Sequence, residues 1–353
     1  YNIFVLGPLG SHRHVLVGEL AAERAREKEA PDDWCYVNNF QNPEAPRALR
    51  LPAGRGSDLR ADMRALIEEI RLAIPAAFEG EDYRTQIKGL EAESQREIEE
   101  QWQSLKKAAA DEGVGLLQTP TGYVLAPLKD GKVIDDKEFQ ALPEEEREKI
   151  QAAIQNLSEA LQERIEHMPR LRKLYHERVR ELDQEVAAHA VTVLLDEVKD
   201  RYRDLPEILA YLDEAEQDII DNAGQFRETE APPFLLPGRD TASLLASYDV
   251  NLIVSNETQT SAPIVYEPNP SYPNLIGKVE HRAEMGALVT DFRLVRAGAL
   301  LQANGGYLIV DVHRILGRPF VWEALKQALF AKKVRIESPA ETLGFVSTTT
   351  LKP

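Results

Sequence analysis

The sequence is poor in several residue types and patterns, and each shortage excludes a class of protein. Its one cysteine, Cys35, excludes an intrachain disulfide scaffold and a cysteine-rich zinc site, and fits a reducing compartment. The 42 Lys and Arg residues are outnumbered by 59 Asp and Glu, giving a formal net charge of -17, which argues against a protein that binds the nucleic-acid backbone. No apolar run approaches the roughly 20 residues of a membrane helix. We therefore expect a cytoplasmic protein without nucleic-acid or membrane partners.

Recognisable catalytic and metal-binding patterns are also missing. The seven histidines are scattered without the pattern of a catalytic triad, and no serine is a candidate nucleophile, so we predict no catalytic residue in this chain. His12 and His14 lack a nearby cysteine or carboxylate partner, and we predict no metal site. The chain begins with Tyr1, without an initiator methionine or a signal-peptide pattern. We expect a processed or excised piece whose chemistry lies elsewhere.

What the sequence does contain is enough apolar material for a sizeable core, arranged in three blocks. Its 353 residues are 43% hydrophobic, which favours more than one structural unit. Blocks 1–74 and 231–353 alternate short apolar runs with amphipathic stretches, a pattern typical of an α/β domain with a parallel sheet. Buried strands are predicted at residues 3–6, 34–37, 250–254, 307–310 and 334–336. Helices are predicted at residues 15–29, 59–74 and 320–330.

The middle block, residues 75–230, has a different pattern. Apolar residues recur every three or four positions in a background of Glu, Gln and Lys, which predicts a long antiparallel helical hairpin with coiled-coil packing. Pro169 should kink or restart its second arm. Apolar runs separated by turn residues predict a small β element near 113–134, at the far end of the hairpin. We therefore expect one α/β domain split by a mainly helical insertion with a β tip.

The tip of the insertion carries a group of apolar side chains with two open interpretations. The candidate residues are Leu116, Leu117 and Tyr123. They close a small hairpin core, or they form an exposed patch that collects unfolded chains.

A glycine-containing segment lies between the first predicted strand and helix, where a phosphate-binding P-loop would be expected. The candidate residues are Gly7, Gly10, Ser11, His12, Arg13 and His14. In the pattern G-x-x-x-x-G-K-[ST], His12 replaces the second glycine, Arg13 replaces the lysine and His14 replaces the hydroxyl residue that holds Mg²⁺. We predict a vestigial nucleotide-binding loop without bound ATP or Mg²⁺. An active ATPase that uses Arg13 remains the alternative.

The apolar run that ends in Asp311 has the form of a Walker B strand. The residue after this aspartate is normally a glutamate that orients the attacking water, and Val312 has no such group. This second defect also predicts the absence of ATP hydrolysis. A plain central strand explains the run equally well.

Several segments together resemble the AAA+ module of Lon-related proteases, and especially the Lon-like C-type proteins that have lost their ATPase motifs. The segments are residues 1–11, 34–43, 274–280, 286–292 and 298–306. The resemblance implies a P-loop-type AAA+-like fold, a homohexameric ring, unfolded polypeptide as substrate and a Ser-Lys peptidase domain following the module. It also implies that residues 286–292 form a loop facing the central pore.

Within this loop, the candidate substrate contacts implied by the resemblance are Gly286, Leu288, Val289 and Phe292. The alternative is that the apolar members are core residues next to a strand. The function predicted overall is substrate handling and ring formation in a Lon-like serine protease that degrades unfolded proteins without ATP hydrolysis. An active AAA+ ATPase with an atypical P-loop and a non-catalytic coiled-coil scaffold are the alternatives.

Overall fold

The computed structural model describes residues 2–8, 12–119, 122–129, 132–227, 245–284 and 287–336. The chain divides into two compact units: unit 1 comprises residues 1–74 and 190–353, and unit 2 comprises residues 75–189. Unit 2 is thus inserted within unit 1. The insertion was expected to extend to residue 230, whereas the structure groups residues 190–227 with unit 1.

The helices and strands are as follows in chain order. Up to the long helix they are α1 (Arg13–Ala25), β1 (Asp33–Val37), β2 (Arg47–Leu51), α2 (Arg55–Glu79), α3 (Glu81–Asp111), β3 (Val114–Thr119), β4 (Gly122–Lys129), β5 (Lys132–Val133), α4 (Asp136–Gln140) and α5 (Glu144–Arg201). Then follow α6 (Pro206–Asp221), α7 (Ala223–Arg227), β6 (Asn251–Val254), β7 (Ile264–Glu267), α8 (Tyr272–Leu275), β8 (Gly277–Val279), β9 (Arg282–Glu284), β10 (Ala287–Val289), β11 (Val295–Ala297), α9 (Ala299–Gln302), β12 (Tyr307–Val310), α10 (Val312–Leu316) and α11 (Val321–Ala331). Short 3₁₀ helices lie at Ala246–Tyr248 and Phe292–Leu294.

One sheet of unit 1 is antiparallel, with the strand order β2-β1-β6. Alternate residues of β1 face the core, so Cys35 and Val37 are buried. The Asp33 carboxylate at the start of β1 is also fully buried. Its Oδ2 accepts the Gly56 N–H at 2.9 Å, and its Oδ1 accepts the Asn256 N–H at 2.6 Å. This carboxylate therefore joins the sheet to the first turn of α2 and to the segment after β6.

The second pairing in unit 1 is parallel, between β7 and β12, with Tyr307 opposite Ile264. Helix α1 contacts both strands. The approach before β12 is close, because a Cβ on Gly306 would lie 2.0 Å from the Pro263 carbonyl oxygen. Only glycine fits there. A parallel pair covered by a helix is the α/β arrangement expected for this region.

The first predicted strand, at residues 3–6, is wrong. Residues 2–8 form neither strand nor helix, and Ile3 and Leu6 are 75% and 84% exposed. Helix α1 buries Ala21 and Ala25, while Leu16 on the expected inner face is exposed. The predicted strand at 334–336 is also not formed. An apolar run becomes a strand only where a neighbouring strand offers free backbone groups, which periodicity does not reveal.

Unit 2 is built on the antiparallel pairing of α3 with α5. Three contacts along α3 show the direction: Tyr83 with Asp183, Glu93 with Arg178, and Ser104 with Arg164. Helix α5 runs unbroken through Pro169, so of the two predicted outcomes, a kink or a restart of the helix, the restart does not occur. No helix in the described part of the chain is both long and apolar enough to cross a membrane.

The predicted β element is present at the end of the α3 and α5 pair. Strand β3 pairs with β4, and β4 pairs with β5, all antiparallel. A hydrophobic core joins these strands to the helices. Its buried members are Leu105, Ala109, Val114, Ala153, Leu157 and Leu161.

Candidate functional site

The loop before α1 is the first candidate site, and it leads into the helix through His12, Arg13 and His14. His12 precedes the helix in the left-handed conformation, with φ 47° and no side-chain capping bond. The Arg13 guanidinium donates to the Gly7 carbonyl oxygen at 2.6 Å. The His14 ring stacks on Tyr266 of β7, with centroids 5.7 Å apart and planes 13° apart. Each substituted position of the P-loop pattern therefore has a conformational or packing role within unit 1.

The remaining residues of this candidate site are Gly10, Ser11 and Asp311. Gly10 and Ser11 lie outside the described residues. Asp311 follows β12 and caps α10, where its carboxylate accepts the His313 N–H at 3.1 Å. Strand β12 is paired with β7, so Asp311 lies at the carboxyl end of a parallel pair, where ligands bind in open α/β sheets.

The candidate pore loop is a short hairpin of β9 and β10, in which Leu288 is opposite Ala283 and Val289 is opposite Arg282. Gly286 and the side chain of Leu288 lie outside the described part of the structure. Val289 is half-buried. Phe292 is 6% exposed and packs in the core of unit 1, so the expectation that it contacts substrate is corrected to the core interpretation.

Polar contacts hold the base of this hairpin. The Asp291 carboxylate accepts the Arg293 backbone N–H at 2.8 Å and pairs with the Arg293 guanidinium at 2.7 Å. Asn251 of β6 donates through Nδ2 to the carbonyl oxygens of Phe292 and Val295, at 2.8 and 3.0 Å. Burial raises the pKa of the Asp291 carboxyl, but the hydrogen bonds from Arg293 outweigh this and lower the pKa below its ordinary value. The loop is thus anchored at its base to the antiparallel sheet.

One face of the tip hairpin packs on the helices. Leu116 of β3 is opposite Leu125 of β4, and both pack against the hydrophobic core of unit 2. Tyr123 lies on the same face and stacks on Trp102, with ring centroids 4.0 Å apart. For Leu116 and Tyr123, the structure therefore favours the hairpin-core interpretation over exposure to a substrate.

The opposite face of the tip hairpin is apolar and exposed. Successive side chains of a strand point to opposite faces, so Leu117 and its cross-strand partner Val124 point away from the core. They are 39% and 48% exposed, and Val133 of β5 is 47% exposed. We define Leu117, Val124 and Val133 as the outer tip patch. Sequence reasoning did not separate Leu117 from Leu116, although the two-residue alternation of a strand carries that information.

Other reactive groups in the described residues are buried or dispersed. Burial, with a smaller contribution from Asp33, raises the pKa of the Cys35 thiol to about 12, which makes it a poor nucleophile. Among the residues that the structure describes, no three His, Cys, Asp or Glu side chains lie close enough to hold a metal ion.

Comparison with protein families gives two matches. A family model described as a LonB-like AAA domain matches residues 260–353, which include the β7 and β12 pair and the candidate pore loop. The chain therefore carries an AAA domain of the LonB-like kind. A second model, described as a Lon-like LonC helical domain, matches residues 33–66, which include β1, β2 and the first part of α2. Together, the two matches support a Lon-related protein of the Lon-like C type. A search of curated proteins gives no match.

Proposed function

We propose that this chain is the substrate-handling and ring-forming region of a Lon-like serine protease that degrades unfolded proteins without ATP hydrolysis. The observation that carries the proposal is that two side chains at the loop before α1 already have partners within unit 1. Arg13 donates a hydrogen bond to the Gly7 carbonyl oxygen, and the His14 ring stacks on Tyr266. Unfolded polypeptide is the proposed partner, together with further copies of the same chain in a homohexamer.

Nucleotide binding needs groups that positions 12–14 of this loop do not offer. A Walker A loop presents backbone N–H groups through glycine, reaches the phosphates with lysine and holds Mg²⁺ with a hydroxyl. Here His12 adds a side chain at the glycine position, and Arg13 already donates to Gly7. His14 supplies a ring in place of a hydroxyl, and Asp311 caps α10. These residues do not fit ATP with Mg²⁺, which supports handling of substrate without nucleotide.

The outer tip patch is the surface that we assign to polypeptide capture. Exposed apolar groups bind unfolded chains because both partners then remove apolar surface from water. Leu117 and Val124 form a directly opposed pair on a hairpin whose other face is fixed by Trp102 and the helices. The patch is therefore held on a supported strand pair, as a binding surface requires.

Isothermal titration calorimetry with ATP and Mg²⁺ tests the nucleotide part of the proposal. We expect no binding heat and no phosphate release at micromolar protein. Micromolar binding with turnover would instead establish the active ATPase with an atypical P-loop. In that case Arg13→Ala would abolish the binding, since Arg13 is the remaining cation of the motif.

Capture of a permanently unfolded, fluorescently labelled polypeptide tests the role of the tip. The double variant Leu117→Ser, Val124→Ser should weaken binding roughly tenfold, because two apolar side chains are lost from the surface. Leu72→Ser is a matched control, since Leu72 is an exposed leucine of α2 in unit 1. Unchanged binding in the double variant would favour the non-catalytic scaffold. Analytical ultracentrifugation of the same samples tests the proposed homohexamer.

A further inference from the structure

A groove lies within unit 2, between α3 and α5 and apart from the outer tip patch. Its volume is about 540 Å³, and it is open to solvent. Leu90 of α3 and Leu182 of α5 line it, and Leu182 is buried. The groove therefore has an apolar floor formed by one leucine from each helix.

A glycine in the interior of α3 helps to form the groove. Gly89 lines it, and a Cβ built at this position meets no atom within 4 Å. Close packing thus does not require glycine here, although glycine weakens a helix interior relative to alanine. The missing side chain leaves open space beside Leu90.

The walls of the groove are acidic. Glu93 is paired with Arg178 at 3.1 Å, so these two charges offset each other. Glu181 and Glu185 also line the groove, one helical turn apart on the same side of α5. Within the described part of the chain, neither of these two glutamates forms an ion pair. Like charges at this spacing weaken a helix. The groove therefore combines two features that lower helix stability: a glycine inside α3 and a pair of like charges on α5.

We propose that this groove binds a cationic segment of an unfolded polypeptide. Leu90 and Leu182 contact an apolar side chain of the segment, and Glu181 and Glu185 pair with neighbouring Lys or Arg side chains. Charge complementarity of this kind selects partners and speeds their encounter. The inference rests on the proposed function, and it adds a preference for basic over neutral or acidic segments.

Fluorescence anisotropy on the full chain tests the inference with three labelled peptides that are unfolded in solution. They share a pattern of Leu, Gly and Ser, and differ in carrying Lys, Gln or Glu at the remaining positions. We expect the Lys peptide to bind about threefold to tenfold more tightly than the Gln peptide, since two exposed ion pairs are formed. Raising the salt concentration should remove this difference by screening.

Two groove variants and one matched control locate the preference. Glu181→Gln, Glu185→Gln should abolish the advantage of the Lys peptide while leaving the Glu93–Arg178 pair intact. Gly89→Met should occupy the space beside Leu90 and weaken binding of the Lys peptide, and circular dichroism should show that helix content is retained. Gly18→Met places the same side chain at a helical glycine of α1 that also has open space around it, and should change nothing.

The possible results separate the groove from the proposed function. If the Gln peptide binds through the outer tip patch and the Lys peptide binds no better, the groove inference is overturned and the proposed function stands. If the preference for Lys persists in both groove variants, the inference is again overturned. If no peptide binds, both the groove inference and the proposed function fail.

Discussion

The two units differ in how distant parts of the chain are held together. In unit 1, single buried polar groups connect segments that are far apart in sequence: Asp33 bonds to Gly56 and to Asn256. In unit 2, the α3 and α5 pair repeats similar side-chain contacts along its length. A substitution at one position should therefore cost more in unit 1 than in unit 2.

Aromatic residues also connect segments of unit 1 that are far apart in sequence. Phe40 packs on Tyr211 and Tyr248, and the Tyr248 hydroxyl donates to Asp218 Oδ2 at 2.7 Å. Burial is the main cause that raises the pKa of both tyrosines well above the ordinary value, so both remain neutral and bonded across the physiological range. Side chains, rather than strand pairing, thereby tie the segment 206–227 to the rest of unit 1.

The largest expected effect is that of Asp33→Ala. Removing the carboxylate leaves the buried N–H groups of Gly56 and Asn256 without this acceptor, and should lower the free energy of unfolding by about 3 kcal/mol. Urea unfolding measures this change. Asp32→Ala is the control, because Asp32 forms a surface ion pair with Arg50 and should cost less than about 1 kcal/mol. Equal effects of the two variants would contradict the comparison.

A stabilising change is expected in unit 2 from Pro169→Ala. Proline lacks an N–H and therefore leaves the Ile165 carbonyl without its helical partner inside α5. Alanine restores this bond and should stabilise unit 2 by about 2 kcal/mol, after allowance for the greater freedom of the unfolded alanine chain. Slower hydrogen exchange in residues 150–185 is the measurement. Faster exchange would mean that the proline itself stabilises the helix pair.

Tyr83→Phe tests the most buried polar contact in the described part of unit 2. The Tyr83 hydroxyl donates to Asp183 Oδ1 at 2.6 Å, and both side chains are buried. We expect a loss of about 1.5 kcal/mol, smaller than that of Asp33→Ala. A loss larger than that of Asp33→Ala in the same urea experiment would reverse the proposed difference between the units.

The smallest expected effect depends on pH and concerns Asp291. Because its pKa is lowered in the folded protein, its contribution is fully present above the ordinary aspartate value and is lost as the pH falls through the folded value. Asp291→Asn should therefore cost about 0.5 kcal/mol at neutral pH, as expected for a partly exposed pair, and nothing in strong acid. Unfolding curves across the acid range measure this. A cost that does not change with pH would exclude the ion pair as its cause.

Much of the secondary structure could be predicted from the sequence, because it depends on local periodicity. The long helices of the insertion follow the spacing of apolar residues, and β1, β6, β12 and α11 lie close to their predicted positions. The β tip was indicated by turn residues between apolar runs. In each case the signal lies within a short stretch of chain.

The errors concern properties that depend on distant partners. Residues 3–6 have the composition of a buried strand, but strand formation requires a neighbour that the segment itself does not encode. Asp33 was not singled out, because a buried acceptor is recognisable only when Gly56 and Asn256 are brought beside it. At the candidate sites, the sequence identified the substituted P-loop positions but not the contacts that Arg13 and His14 make.

His12 has a consequence for how this protein could change in evolution. A residue with a Cβ in the left-handed conformation costs about 1 kcal/mol relative to glycine, so the mutation His12→Gly should be favourable for the backbone. Stability therefore does not oppose a glycine at position 12, as in the pattern G-x-x-x-x-G-K-[ST]. Matching the rest of this pattern would instead be limited by Arg13 and His14, whose replacement gives up contacts already made.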